Sequence, residues 1–368
     1  MDQRNNTLAK NLINYSVRLK KGEKILIESI GYEPEELINE IVKEAYAVGA
    51  FPYVNVIMPS IQREILINST KEQFEIKAKL DKEFIDNMDA YIAVRSGNNI
   101  FELSDVPTEK INDYSKVMKE VTNTRLRKKW VVLRYPTPSM AQSAKKPTAP
   151  FKDFYYNVCC LDYGKMDKAQ EALKNIMEKT DKVHIKGVGT DISFSIKDMP
   201  IIKCSGEFNI PDGEVFTAPV KDSVNGYITY NIPSLHNGFS FENVKLEFEN
   251  GKIVKSTAND TERITKIFNQ DEGARYIGEF AIGVNPYITE PMYDILFDEK
   301  IAGSFHFTPG NSYENAFNGN TSSLHWDLIV IQTPEYGGGE IYFDDVLIRK
   351  DGRFVLKELE VLNPENLM

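Results

Sequence analysis

The chain has 368 residues, 42% of them hydrophobic and 27% charged, with a formal net charge of −10. That length suggests about two domains at roughly 150 residues each, and the acidic balance argues against a nucleic-acid partner. No apolar run approaches the roughly 20 residues that span a bilayer, so no membrane partner is expected.

The start, MDQRNNTLAK, lacks the apolar segment of a signal peptide. KILIES (24–29) reads as a short strand, and PEELINEIVKEAYAVGA follows with Leu37, Ile41, Ala45 and Val48 at helical spacing. Strand signals recur at 51–58, 89–96 and 129–136, with helical stretches reaching about 86 and 126 between them. This βα rhythm predicts an α/β domain with a mostly parallel sheet. A Pro/Ser/Ala-rich loop is expected at 136–150, then helices at 151–160 and 164–180. Cys159, Cys160 and Cys204 form neither a disulfide framework nor zinc-ribbon spacing, so a reducing, cytoplasmic location is expected.

From about 182 the pattern becomes antiparallel β. DISFSIKD alternates with period two, and Asn250-Gly251 and Asp351-Gly352 mark hairpins within 244–258 and 340–356. One helix interrupts, at about 260–273. The expected division is an α/β domain over 1–162 and an α+β domain over 163–368, mainly antiparallel. Charge divides too: 24 basic and 21 acidic side chains lie in 1–160, against 20 and 33 in 161–368. An acidic half of this kind attracts divalent cations or amines, or is simply a solvated surface.

Two of the four histidines, His306 and His325, share the segment HFTPGNSYENAFNGNTSSLHWD. On a strand, His325 and Asp327 face the same side. Two imidazoles and a carboxylate suit Zn²⁺, Co²⁺ or Mn²⁺. Glu214 in PDGEVFTAP and Glu279 in IGEFAIG stand in apolar surroundings, where a carboxylate is costly unless it is paired or bound to metal.

GEVFTAP, GEFAIG, SFHFTPGNSY and HWD, in this order and spacing, resemble the thermophilic aminopeptidase (aminopeptidase T) family of dinuclear metallo-aminopeptidases. The resemblance covers about 115 residues of the second half. It implies a metal site in the C-terminal domain with Glu214, Glu279, His306, Tyr313, His325 and Asp327 as ligands. It also implies two divalent metal ions per chain (Zn, Co, Mn or Mg), peptide substrates with a free N-terminus, and a homodimer. Glu214 is read as the bridging carboxylate, Glu279 as ligand or proton acceptor, and Tyr313 as ligand or hydrogen-bond donor to the oxyanion. The 314–324 loop is shorter than in better-known members of the family. The alternatives are a non-catalytic two-domain binding protein with a structural metal, and a metallohydrolase of another amide or ester.

Overall fold

In a computed structural model that describes residues 2–368, the βα alternation of the first half builds a parallel sheet. Phe51–Ile57, Lys24–Ile30, Ala90–Arg95 and Lys129–Arg134 lie side by side in that order, all parallel. Ala78 and Ile85 of the helix Lys71–Asp86, and Val121 of Thr108–Leu126, pack on Leu26, Tyr91, Ala93 and Val132. The expected loop at 136–150 is partly helical. Thr137 caps the helix Pro138–Ser143 by accepting from the Met140 N–H, and proline supplies the starting φ.

A fifth strand, Asn209–Ile210, joins beside Lys129–Arg134. The chain accordingly divides into one unit of Met1–Cys160 with Gly206–Ile210, and a second of Leu161–Ser205 with Pro211–Met368. The chain therefore crosses back after the break expected at 162/163. Two paired residues and a Trp130–Phe208 ring contact at 5.0 Å hold the returning segment, and no local periodicity announces such a contact.

The second unit contains an eight-stranded sheet and a five-stranded sheet, both antiparallel. Asn250 and Gly251, at φ 48° and 83°, turn Lys245–Glu249 onto Lys252–Thr257. Asp351 and Gly352 turn Val346–Lys350 onto Arg353–Phe354. Asp344 and Asp345, also at positive φ, form a further turn that the sequence signal did not mark. The interrupting helix runs Thr261–Phe268, capped by Asp260.

The five-stranded sheet has two unlike faces because successive side chains alternate. Val215, Phe280, Ile282, Phe305 and Phe307 enter the main core. There Phe194 lies 5.0 Å from both Phe280 and Phe307, and Phe248 lies 6.1 Å from Phe307. The opposite face carries Glu214, Glu279 and His306, all nearly inaccessible. Its strand order is Ile329–Ile331, Ser304–Pro309, Ile277–Gly283, Glu214–Thr217, Ile202–Cys204, which makes the strand of Glu279 the middle one.

Candidate metal centre

Pairing sets Ala281 opposite His306 and Gly283 opposite Glu214. Small residues between the functional ones let the three side chains converge above the sheet. His306 Nε2 is 3.3 Å from Glu279 Oε1 and 3.5 Å from Glu214 Oε2. On the other side, His325 Nε2 is 3.4 Å from Glu279 Oε2 and 3.3 Å from Asp327 Oδ1. Glu279 thus offers one oxygen to each imidazole. Glu214, on the strand flanking Glu279 opposite that of His306, groups with Glu279 and His306.

His325 arrives through a bridge to Gly310. Gly310 has φ +110°, and a Cβ there would stand 2.2 Å from the Leu324 carbonyl oxygen, so a larger residue would push the two segments apart. Asn320, fully buried, donates to the Gly273 and Gly310 carbonyls at 2.9 and 2.7 Å and closes the 314–324 loop. Trp326 points away from its neighbours His325 and Asp327 and into the core. Its ring lies 5.1 Å from Phe241 and 4.5 Å from His236, and its Nε1–H donates to Ser234 Oγ at 2.9 Å. The tryptophan anchors the triplet, which fixes the two polar side chains on the opposite side.

Other partners orient the cluster. His325 Nδ1–H donates to the Asn311 carbonyl at 2.8 Å, which leaves Nε2 as the nitrogen facing the carboxylates. Thr308 Oγ1 donates to Asp327 Oδ1 at 2.8 Å. Tyr313 stands at the edge, about half exposed, its ring 4.7 Å from that of His325 and 5.8 Å from Phe216. Lys300, which sequence reasoning missed, is buried and donates to Glu214 Oε1. It follows a short helix in FDEKIAG, where neither periodicity nor a motif singles it out.

Charge dominates this site. Burial opposes protonation of His306, yet Glu214 and Glu279 outweigh it and push its pKa up to about 9. Burial likewise opposes protonation of His325, but Asp327 and Glu279 raise it to about 11. Glu279 is desolvated, but the two imidazoles hold its carboxyl below the usual range. The carboxylates of Glu214, Glu279 and Asp327 thus favour positive charge at the two imidazoles, the charge that a divalent metal would supply.

The donor atoms fit divalent metal. Glu214, Glu279 and His306 bring one ligand atom each within 4.8 Å of one another, and so do Glu279, His325 and Asp327. Glu214 Oε2 and His325 Nε2 are buried and lie 3.3–3.5 Å from charged neighbours without a well-aligned hydrogen bond, a geometry that coordination would satisfy.

The sequence profile of the thermophilic metalloprotease (M29) family matches residues 1–354. The chain belongs to this family. It is 26% identical to aminopeptidase AmpS of Bacillus subtilis over 86% of this chain and 85% of that one. Over 38% of this chain and 37% of its relative, it is 30% identical to aminopeptidase T of Thermus thermophilus. The solved structure of wild-type AmpT from Thermus thermophilus superposes with a TM-score of 0.79 at 20% identity, covering 96% and 99% of the two chains, which shows a shared fold. Membership of the metalloprotease family implies a divalent metal.

Because ligating imidazoles must be neutral while both are held protonated in the metal-free site, metal binding at pH 7 is expected to release about two protons from the histidines. Release should diminish as the pH passes 9. Titration calorimetry in buffers of different ionisation enthalpy checks this, and binding at pH 7 without proton release would contradict the charge assignment.

Proposed function

We propose that this chain is a dinuclear metallo-aminopeptidase, hydrolysing N-terminal residues from peptides. The observation that carries the reading is the Glu279 carboxylate, with one oxygen in each of two donor groups. A pair of divalent metals supplies Lewis acidity, lowering the pKa of a water and polarising a carbonyl. Glu214 and His306 would hold one metal, His325 and Asp327 the other, with Glu279 shared. Asn311 and Thr308 orient the second group through His325 and Asp327. Tyr313, whose ring lies 4.7 Å from that of His325, would either ligate a metal or donate from its hydroxyl to the oxyanion of the substrate. Zn, Co, Mn and Mg remain the candidate metals.

An exopeptidase must recognise the free α-amino group, and a site rich in carboxylates and holding divalent metal would favour an amine over an amide. Losing charge-assisted contacts of this kind costs ~2–5 kcal/mol, about 30- to 4000-fold in rate. Free short peptides should therefore be cut stepwise and their N-acetyl counterparts be nearly inert. Equal rates with the same metal present, or cleavage at internal bonds, would contradict the assignment.

An exposed strand edge supports a homodimer. Phe51–Ile57 is the outermost strand of the parallel sheet and exposes Phe51, Tyr53, Val54 and Val56. Lys252–Thr257 is the outermost strand of the eight-stranded sheet. The apolar edge of Phe51–Ile57 favours association, whereas the exposed Lys252 and Lys255 oppose it on the other edge, and a homodimer covering the first edge is the expected state. A single-chain mass in light scattering at micromolar concentration would contradict it. No helix among the described residues is long and apolar enough to cross a membrane. All three cysteines are free, which supports a cytoplasmic location.

A further inference from the structure

Lys300 follows the short helix Ile295–Asp298 and is 1% exposed. Its Nζ donates to Glu214 Oε1 at 2.7 Å and to Glu299 Oε1 at 2.6 Å, and lies 3.8 Å from Asp212 Oδ1. The backbone fixes this arrangement. The Lys300 carbonyl accepts from the Asn285 N–H at 2.9 Å, and Asn285 Nδ2 donates to the Asp212 carbonyl at 2.7 Å. The adjacent Val284 N–H donates to the Gly213 carbonyl, one residue before Glu214. Lysine and glutamate are therefore tied together through their main chains as well as their side chains.

The two oxygens of Glu214 consequently differ. Oε1 holds the ammonium. Oε2 is buried, has no hydrogen-bond partner and lies 3.5 Å from His306 Nε2. Behind it, Cys204, Asp212 and Glu214 form a third group of closely spaced ligand atoms, and Lys300 already faces two of these three residues.

We propose that Lys300 is a positioning residue that withholds Glu214 Oε1 from the metals, so that Glu214 serves one metal through Oε2 and Glu279 is the only carboxylate shared. The inference rests on the two-metal reading above. It goes beyond it by assigning the division of oxygens to a residue that is not a ligand. The same ammonium satisfies the third group with a fixed charge, which denies that group to a further cation and keeps Glu214 turned toward His306.

The test is a Co²⁺ titration of metal-free wild type and Lys300→Met, followed by visible absorption and equilibrium dialysis. Wild type should take two equivalents. Lys300→Met should keep one and bind the other about 10- to 100-fold more weakly, the range expected when an outer hydrogen-bond partner of a ligand is lost. Asp327→Ala should weaken the opposite site, and adding Lys300→Met to it should leave no tight site. Two equivalents with unchanged affinities and spectrum in Lys300→Met, with only a lowered melting temperature, would overturn the inference alone. A wild type that takes one equivalent would overturn it together with the two-metal reading. If Lys300→Met does not fold, the crystal structure of zinc-loaded wild type decides. Oε1 on Lys300 and Oε2 on one zinc supports the inference, and both oxygens on zinc overturns it.

Discussion

The site depends on one buried carboxylate held between two imidazoles. Glu279 reaches His306 with one oxygen and His325 with the other, at 3.3 and 3.4 Å. A lone carboxylate in the fully buried strand Ile277–Gly283 would be prohibitively desolvated. Its neighbours make it tolerable, and much of the second unit serves to bring them there. The apolar face of the five-stranded sheet fixes the strands by packing on Phe194 and Phe248. Gly310, Asn320 and Trp326 then fix the returning segment that carries His325 and Asp327.

The arrangement is also asymmetric. His325 and Asp327 are supported by hydrogen bonds to a backbone carbonyl and a threonine hydroxyl. Glu214 is supported by a buried ammonium. A purely structural metal usually sits in a closed Cys/His tetrad. Here the donors are mainly carboxylates, two of them with oxygens facing a shared space, which favours a hydrolytic centre over a binding protein with a supporting metal.

Much of this was legible in the sequence, for identifiable reasons. The βα rhythm at 24–136 and the Asn250-Gly251 turn are local signals, and the strands and hairpin they mark are present. The motifs around Glu214, Glu279, His306 and His325 pointed to residues that do come together. What stayed hidden is lateral. Whether Glu214 or Glu279 is central depends on strand order, and spacing along the chain carries no information about order across a sheet. Lys300, Asn311 and the return of Gly206–Ile210 were invisible because each acts through a contact with a distant segment. The Asp344-Asp345 turn was missed because that dipeptide signals a hairpin less clearly than Asn-Gly.

The central claim is that a single residue serves both metal positions, and metal content in three variants tests it most directly. Elemental analysis after reconstitution with zinc should give one metal for Glu214→Ala and one for Asp327→Ala. Glu279→Ala, shown to be folded by circular dichroism, should hold neither tightly. A Glu279→Ala chain that retains one or two metals at wild-type affinity would contradict the account.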